Sequence, residues 1–193
     1  MISKVALKNF KAFEEQTINF RPITLFLGPN NSGKSSILAA LRILVQTVES
    51  YDPQVPILLN GVMGDFGTYR DIVFDNNARR HIHIAVSFSN ERFRDPEIQE
   101  KSYLGSRNHP QINSEIIVHY AYRSRLREII LKSVELRQDS DLLLSTNYSE
   151  DSERQTINQI GSITIPSPLK SPVSRSLRMQ NFIPNLMGGT FLR

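Results

Sequence analysis

The 193 residues are 39% hydrophobic and 22% charged, a balance near the globular norm and enough for one domain with a sizeable core. There is no cysteine and no long uncharged apolar run, and Met1-Ile2-Ser3-Lys4 leads into a charged segment. The chain therefore gives no sign of a disulfide framework, a secretory leader or a membrane span, and reads as cytoplasmic. The formal net charge of +4 falls wholly in the stretch after Ile165, at Lys170, Arg175, Arg178 and Arg193, while the body before it is balanced, which argues against a broadly basic nucleic-acid-binding body.

In chain order, Ile2–Leu7 and Thr17–Phe20 alternate as half-buried strands do, joined by the aromatic connection Asn9-Phe10-Lys11-Ala12-Phe13. Ile23-Thr24-Leu25-Phe26-Leu27 is almost wholly apolar and predicts a strand buried on both faces, delivering the chain to Gly28. After the glycine-rich stretch, Ile37, Leu41, Leu44 and Val48 recur at helical spacing with Leu38 and Val45 beside them, which predicts an amphipathic helix from about Lys34 to Ser50. Leu58–Gly67 reads as loop with turns. Alternating segments near His81–Ser89, Glu115–Tyr122, Glu128–Leu136 and Leu142–Asn147 predict an antiparallel meander, with a further strand possible near Ile160–Ile165. Asn90–Pro110 reads as a charged surface loop. The expected organisation is a lobe over 1–165, with the meander from about residue 81, and a basic Pro- and Ser-rich linker or truncated continuation over 166–193.

The run Gly28-Pro29-Asn30-Asn31-Ser32-Gly33-Lys34-Ser35 has the spacing of a P-loop. A triphosphate needs many donors at short range. Glycines at 28 and 33 let the backbone curl closely, so that amides from about Asn31 to Ser36, including those of Ser32 and Gly33, can point inward. Asn30 lies in the same curl. The helix N-terminus adds partial positive charge. Lys34 is expected to reach the β- and γ-phosphates, Ser35 to ligate Mg²⁺ and Ser36 to donate to the α-phosphate.

Val5–Phe13 followed by Pro22–Leu38 resembles the start of the ABC-type ATPases related to RecF, the structural-maintenance-of-chromosomes proteins and the OLD (overcoming lysogenization defect) family. Gln46–Ser50, Leu58-Leu59-Asn60-Gly61 and Asp65–Phe74 resemble a bacterial branch of AAA-type ATPases, several of which occur in phage defence. The resemblance implies an α/β fold in which a mixed sheet and the P-loop helix are flanked by an antiparallel β-subdomain. It implies ATP and Mg²⁺ as cofactors, a second ATPase head as partner in a homodimer or pseudo-dimer, and coupling of hydrolysis to DNA or an effector protein, with no membrane. In such heads the Asn-Phe-Lys-x-Phe connection lies near the nucleotide, so Lys11 is a candidate ATP contact, an exposed loop lysine being the alternative.

No apolar strand ending in Asp-Glu is present to polarise Mg²⁺ and activate water, so no catalytic residue is assigned. Leu186-Met187-Gly188-Gly189 is a loose echo of a signature motif. Gln46 reads as packing or supporting rather than as a Q-loop glutamine, and Gln155 and Gln159 have only position in their favour. Two readings follow: a portion of a longer ATPase that receives these parts from elsewhere, which the open chain end favours, or a short module that binds nucleotide without turning it over. Elsewhere, His81 and His83 share a strand face but make a poor metal pair without a third ligand. Arg79, Arg80, Arg92, Arg94 and Arg107 are interleaved with acids, as on a solvated surface, and Tyr120 and Tyr122 read as strand packing.

Overall fold

The computed structural model describes residues 1–50, 55–89, 113–149 and 154–161, with short paired segments at 163–164, 179–180 and 183–184. The loop expected at Asn90–Pro110, Arg92, Arg94 and Arg107 within it, the signature echo and most of the linker after Pro166 lie outside the described residues.

One eight-stranded sheet organises the chain. Its first hairpin is β1 (Ile2–Phe10) and β2 (Phe13–Asn19), turning through Lys11 and Ala12 with Phe10 opposite Phe13. Beside β1 lies β5 (Ile82–Ser89), then β6 (Asn113–Arg123), β7 (Glu128–Gln138), β8 (Asp141–Ser149), β9 (Arg154–Ile160) and β10 (Ile163–Thr164). Every pairing among the described strands is antiparallel, where a mixed sheet was expected, and the meander continues directly from the first hairpin through β1 and β5. The meander itself falls where alternation placed it, because period-two burial is what an antiparallel sheet with one wet face requires. The β7–β8 connection is two residues, Asp139 and Ser140, both at positive φ (48° and 78°), the twist-matched form of a tight hairpin.

Val5, Leu7, Ile82, Ile84, Val86, Val118, Tyr120 and Val134 fill one face of the sheet. Helix α1 (Lys34–Val48) completes this core through Ala39, Ala40 and Ile43. The predicted stripe lies on the core side, with Ile37 buried and Leu41, Leu44 and Val48 packed against the core; the flanking Leu38 and Val45 instead are 51% and 41% exposed, and Gln46 is buried. Small residues let the helix approach the sheet, and Gln46 reaches the carbonyl of Leu58 through Nε2, tying down the segment that follows α1. That segment forms the small hairpin β3 (Asn60–Gly61) and β4 (Gly64–Asp65), then helix α2 (Tyr69–Ile72) and a 3-10 turn (Phe74–Asn76). The sequence reading of loop with turns over Leu58–Gly67 agrees with the hairpin, but α2 was not foreseen: four residues are too short for periodicity.

The largest departure is at Ile23–Leu27. These residues form no strand, and Ile23, Leu25 and Leu27 are 91%, 76% and 82% exposed. An apolar run announces a buried strand only where other strands flank it, and none of the described strands pairs with it. No helix of the described residues is long and apolar enough to cross a membrane.

Candidate functional site

The glycine-rich loop runs from the exposed segment into α1. Gly33 stands at the helix N-cap with φ 88° and ψ 0°, left-handed backbone that side chains resist. A Cβ there would also meet the Phe13 ring, with Cζ only 2.5 Å away. Gly28, at φ 153°, holds a backbone that side chains rarely adopt, and a Cβ there would also oblige the Ser32 hydroxyl, 2.9 Å away, to turn aside. Both glycines are thus demanded by the local path, and Asn31, at φ 66°, makes the intervening turn. Asparagine tolerates that conformation better than most residues.

No side chain caps α1, and its first turn carries no acidic residue, so its partial positive charge has no built-in counter-charge. Among the described residues the amides of Gly33, Lys34 and Ser35 donate to no protein acceptor. Of the amides from about Asn31 to Ser36 that were expected to point inward, two have partners within the loop and helix start. The Ser36 amide closes the first helical turn on the Gly33 carbonyl (2.9 Å), and the Ser32 amide donates to Pro29 O at 3.4 Å. The amides of Gly33, Lys34 and Ser35, without such a partner, lie at the helix start.

Lys34 folds back into the curl of the loop. Its ammonium donates to the carbonyl of Gly28 (2.7 Å), to that of Pro29 and to the Ser32 hydroxyl at 3.3 Å. This places a cation where the loop closes upon itself. The Ser35 side chain lies on an exposed residue, and Asn30, with the rest of the loop from Gly28 to Ser32, is exposed as well.

Lys11 lies at the β1–β2 turn with φ 46°, its amide donating to Ile72 O at 2.8 Å and its ammonium to Asp71 O at 3.2 Å. The residue of this connection that touches the loop is Phe13, through Gly33. Sequence reasoning marked the connection as aromatic but singled out its lysine; only the close approach between ring and glycine distinguishes Phe13.

The weaker constellations resolve into packing. His83 and His119 face each other across β5 and β6 with ring centroids 4.0 Å apart, and Ser133 Oγ lies 2.8 Å from His119 Nδ1. Among the described residues no cluster of three metal-ligating side chains exists. Tyr120 is fully buried, and Tyr122 stacks on Tyr69 at 5.4 Å. Burial pushes the Tyr69 hydroxyl up to about 12, and that hydroxyl donates to Arg80 O at 2.8 Å. Arg80 pairs with Glu14 at 2.9 Å, in keeping with a mixed surface. Gln159 bonds Gly161 O at 2.9 Å, while the Gln155 side chain lies outside the described residues.

Whether a triphosphate and Mg²⁺ fit can be judged from this geometry. The loop is a cradle that a Cβ would fill at either end, its donors are backbone amides at a helix start, and the cation within it is a lysine. These features suit phosphate oxygens. An exposed hydroxyl at Ser35 suits one position of a Mg²⁺ that keeps waters and phosphate oxygens for the rest.

A glycine-bordered loop of this build, on the N-terminus of a helix packed against a sheet, defines a P-loop nucleotide-binding domain. The comparisons agree. Residues 1–170 match the family described as AAA ATPase domain, and the chain belongs to that family. It is similar to the Old nuclease of Escherichia phage P2, 31% identical over 67 residues, which is 32% of this chain and 11% of that protein. It is also similar to the chromosome partition protein Smc of Halothermothrix orenii, 54% identical over 43 residues (21% of this chain, 4% of that protein). The DNA replication and repair protein RecF of Lactobacillus johnsonii is 43% identical over 47 residues, 24% of this chain and 13% of that protein. The resemblance to the RecF, structural-maintenance-of-chromosomes and OLD families is thereby established, and the chain spans only a small part of these three relatives' length.

Proposed function

We propose that this chain is the ATP–Mg²⁺-binding lobe of an ABC-type ATPase and that hydrolysis needs residues from outside it. The observation that carries the reading is the helix start at Gly33–Ser35, where amides that donate to no acceptor among the described residues and an uncapped helix N-terminus converge beside Lys34. On this reading Lys34 exchanges its bonds to the Gly28 and Pro29 carbonyls for phosphate oxygens. Those carbonyls hold it poised in the meantime. Gly28, Asn30, Asn31, Ser32 and Gly33 shape the cradle, and Ser35 holds a Mg²⁺ that offsets charge on the β- and γ-phosphates. The hydroxyl of Ser36, whose amide is engaged in the helix, is left to donate to the α-phosphate. Lys11 joins the site only by giving up its bond to the Asp71 carbonyl.

The lobe reading draws support from the exposed run Ile23–Leu27 and from the bare apolar positions Leu38 and Val45 on α1, which together ask for a further layer of protein. Pairing with a second head, coupling to DNA or an effector, a role in antiviral defence and a cytoplasmic setting extend the proposal on family resemblance. The test is calorimetric titration with ATP–Mg²⁺, GTP–Mg²⁺ and a non-hydrolysable analogue, beside Lys34→Ala, with phosphate release followed on the same samples. The expected result is binding that Lys34→Ala abolishes, without turnover. A folded chain that binds neither nucleotide would sink the proposal. The rival reading, a nucleotide-sensing module that never hydrolyses, predicts that turnover stays absent when the rest of the protein is supplied.

A further inference from the structure

We infer that Phe13 is a positioning residue for the phosphate loop, and that helix α2 is the buttress that sets it. The inference rests on the P-loop reading above and assigns a task to the Gly67–Ile72 segment, which that reading does not use.

The chain of contacts begins at Gly33. Its left-handed backbone sets the direction in which the first amides of α1 point, and the three atoms nearest the place where its Cβ would stand all belong to the Phe13 ring, with Cζ and Cε1 2.5 and 2.7 Å from that position. The ring covers one side of Gly33 while packing against the core on the other. Phe13 begins β2, directly after the two-residue turn Lys11-Ala12. That turn is held unusually: Lys11 keeps a positive φ that a non-glycine residue adopts only when its neighbours fix it.

What fixes it is α2. The Ile72 carbonyl accepts the Lys11 amide, the Asp71 carbonyl accepts the Lys11 ammonium, and Phe10 bridges to Val73. Helix α2 is itself set by a capping box in which Asp71 Oδ2 accepts from both the Thr68 amide and the Thr68 hydroxyl at 2.7 Å. Gly67, at φ 78°, admits this because a Cβ there would come within 2.5 Å of the Asp71 carboxylate. At the far side, Ile72 and Tyr69 are buried in the core, so the buttress is anchored. A four-residue helix with this much local fastening does nothing for its own stability that a loop could not do. Its product is a fixed β1–β2 turn, and through it a fixed ring over Gly33.

The test follows the Gly33, Lys34 and Ser35 amide resonances and ATP–Mg²⁺ titration in Phe13→Ala, Phe13→Leu and Asp71→Ala, at a temperature where circular dichroism finds each chain folded. In Phe13→Ala the three amide resonances should move even without nucleotide, and the ATP Kd should rise about tenfold, the lower end of what losing an outer support does at a binding site. Phe13→Leu, which keeps an apolar branch over the glycine, should recover most of both. Asp71→Ala should move the same three amides while leaving those of β6 and β7 in place. A merely structural Phe13 would lower the melting temperature with the loop amides unmoved, and that result overturns the inference. So does an unchanged ATP Kd in Phe13→Ala alongside lost binding in Lys34→Ala. Should the parent chain fail to bind ATP, the P-loop proposal falls, and the amide resonances still decide whether Phe13 positions the loop.

Discussion

Gly33 carries two constraints on one missing atom: a left-handed backbone and a ring occupying the space where a Cβ would stand. They can be separated. Gly33→Ala should destabilise by about 1–3 kcal/mol from the backbone alone, with the clash against Phe13 in addition. In the double variant with Phe13→Ala the clash disappears and the backbone term remains, so urea denaturation should give a favourable coupling between the two changes. Additive effects would mean that the ring yields freely. A different residue-scale defect lies in the sheet core, where the Tyr120 hydroxyl is wholly buried with no partner among the described residues, and its burial pushes its titration far upward. A buried orphan hydroxyl costs about 1–3 kcal/mol, so Tyr120→Phe should raise the urea midpoint rather than lower it. Neither feature could be read from the sequence. Spacing identified Gly28, Gly33, Lys34 and Ser35 because a phosphate loop is encoded locally, whereas the contact of Phe13 with Gly33 and the orphaned Tyr120 arise from chain segments brought together by the fold.

Among the elements, the β5–β6 pair places its charge chemistry on the face away from the core. His83 is directly opposite His119, with Lys8 and Glu15 next along the row on β1 and β2, and Ser133 following on β7. Partial burial, and then the neighbouring His119, Lys8 and His81, lower the His83 titration to about 4, with Glu15 opposing the shift. Burial likewise lowers His119, against the upward pull of Glu135 and with Lys132 and His81 assisting. Because folding depresses both values, the unfolded chain binds more protons as pH falls, and stability contributed by the neutral pair is present above the ordinary value of 6.5 and lost between there and about 4. The urea midpoint should therefore decline as pH is lowered from 7.5 to 5, and His83→Gln should flatten that decline. An equal slope in the variant would assign the pH dependence elsewhere. Alternation predicted that His81 and His83 share a face, but their partner on β6 depends on strand register, which one segment of sequence does not contain.

For the whole molecule, the sheet was legible and its surroundings were not. Half-wet antiparallel strands encode their own burial pattern, one residue in and one out, so β5 to β8 could be located from alternation. The run Ile23–Leu27 encodes burial too, yet no described strand pairs with it and Ile23, Leu25 and Leu27 stand exposed, as do the outer positions Leu38 and Val45 of α1. A sequence specifies that such residues want cover; it does not specify which polypeptide provides it. Exposed apolar backbone of this kind is prone to pair with other copies. The chain should therefore self-associate in a concentration-dependent manner by light scattering, and Leu25→Ser with Leu27→Ser should suppress that association while leaving the melting temperature nearly unchanged, because those side chains bury little in the fold. The same pair of changes made in a longer polypeptide that supplies the cover should lower stability by about 2–5 kcal/mol per buried leucine lost. Equal melting losses in both settings would mean that Leu25 and Leu27 already pack within this chain, and the lobe reading would lose its second support.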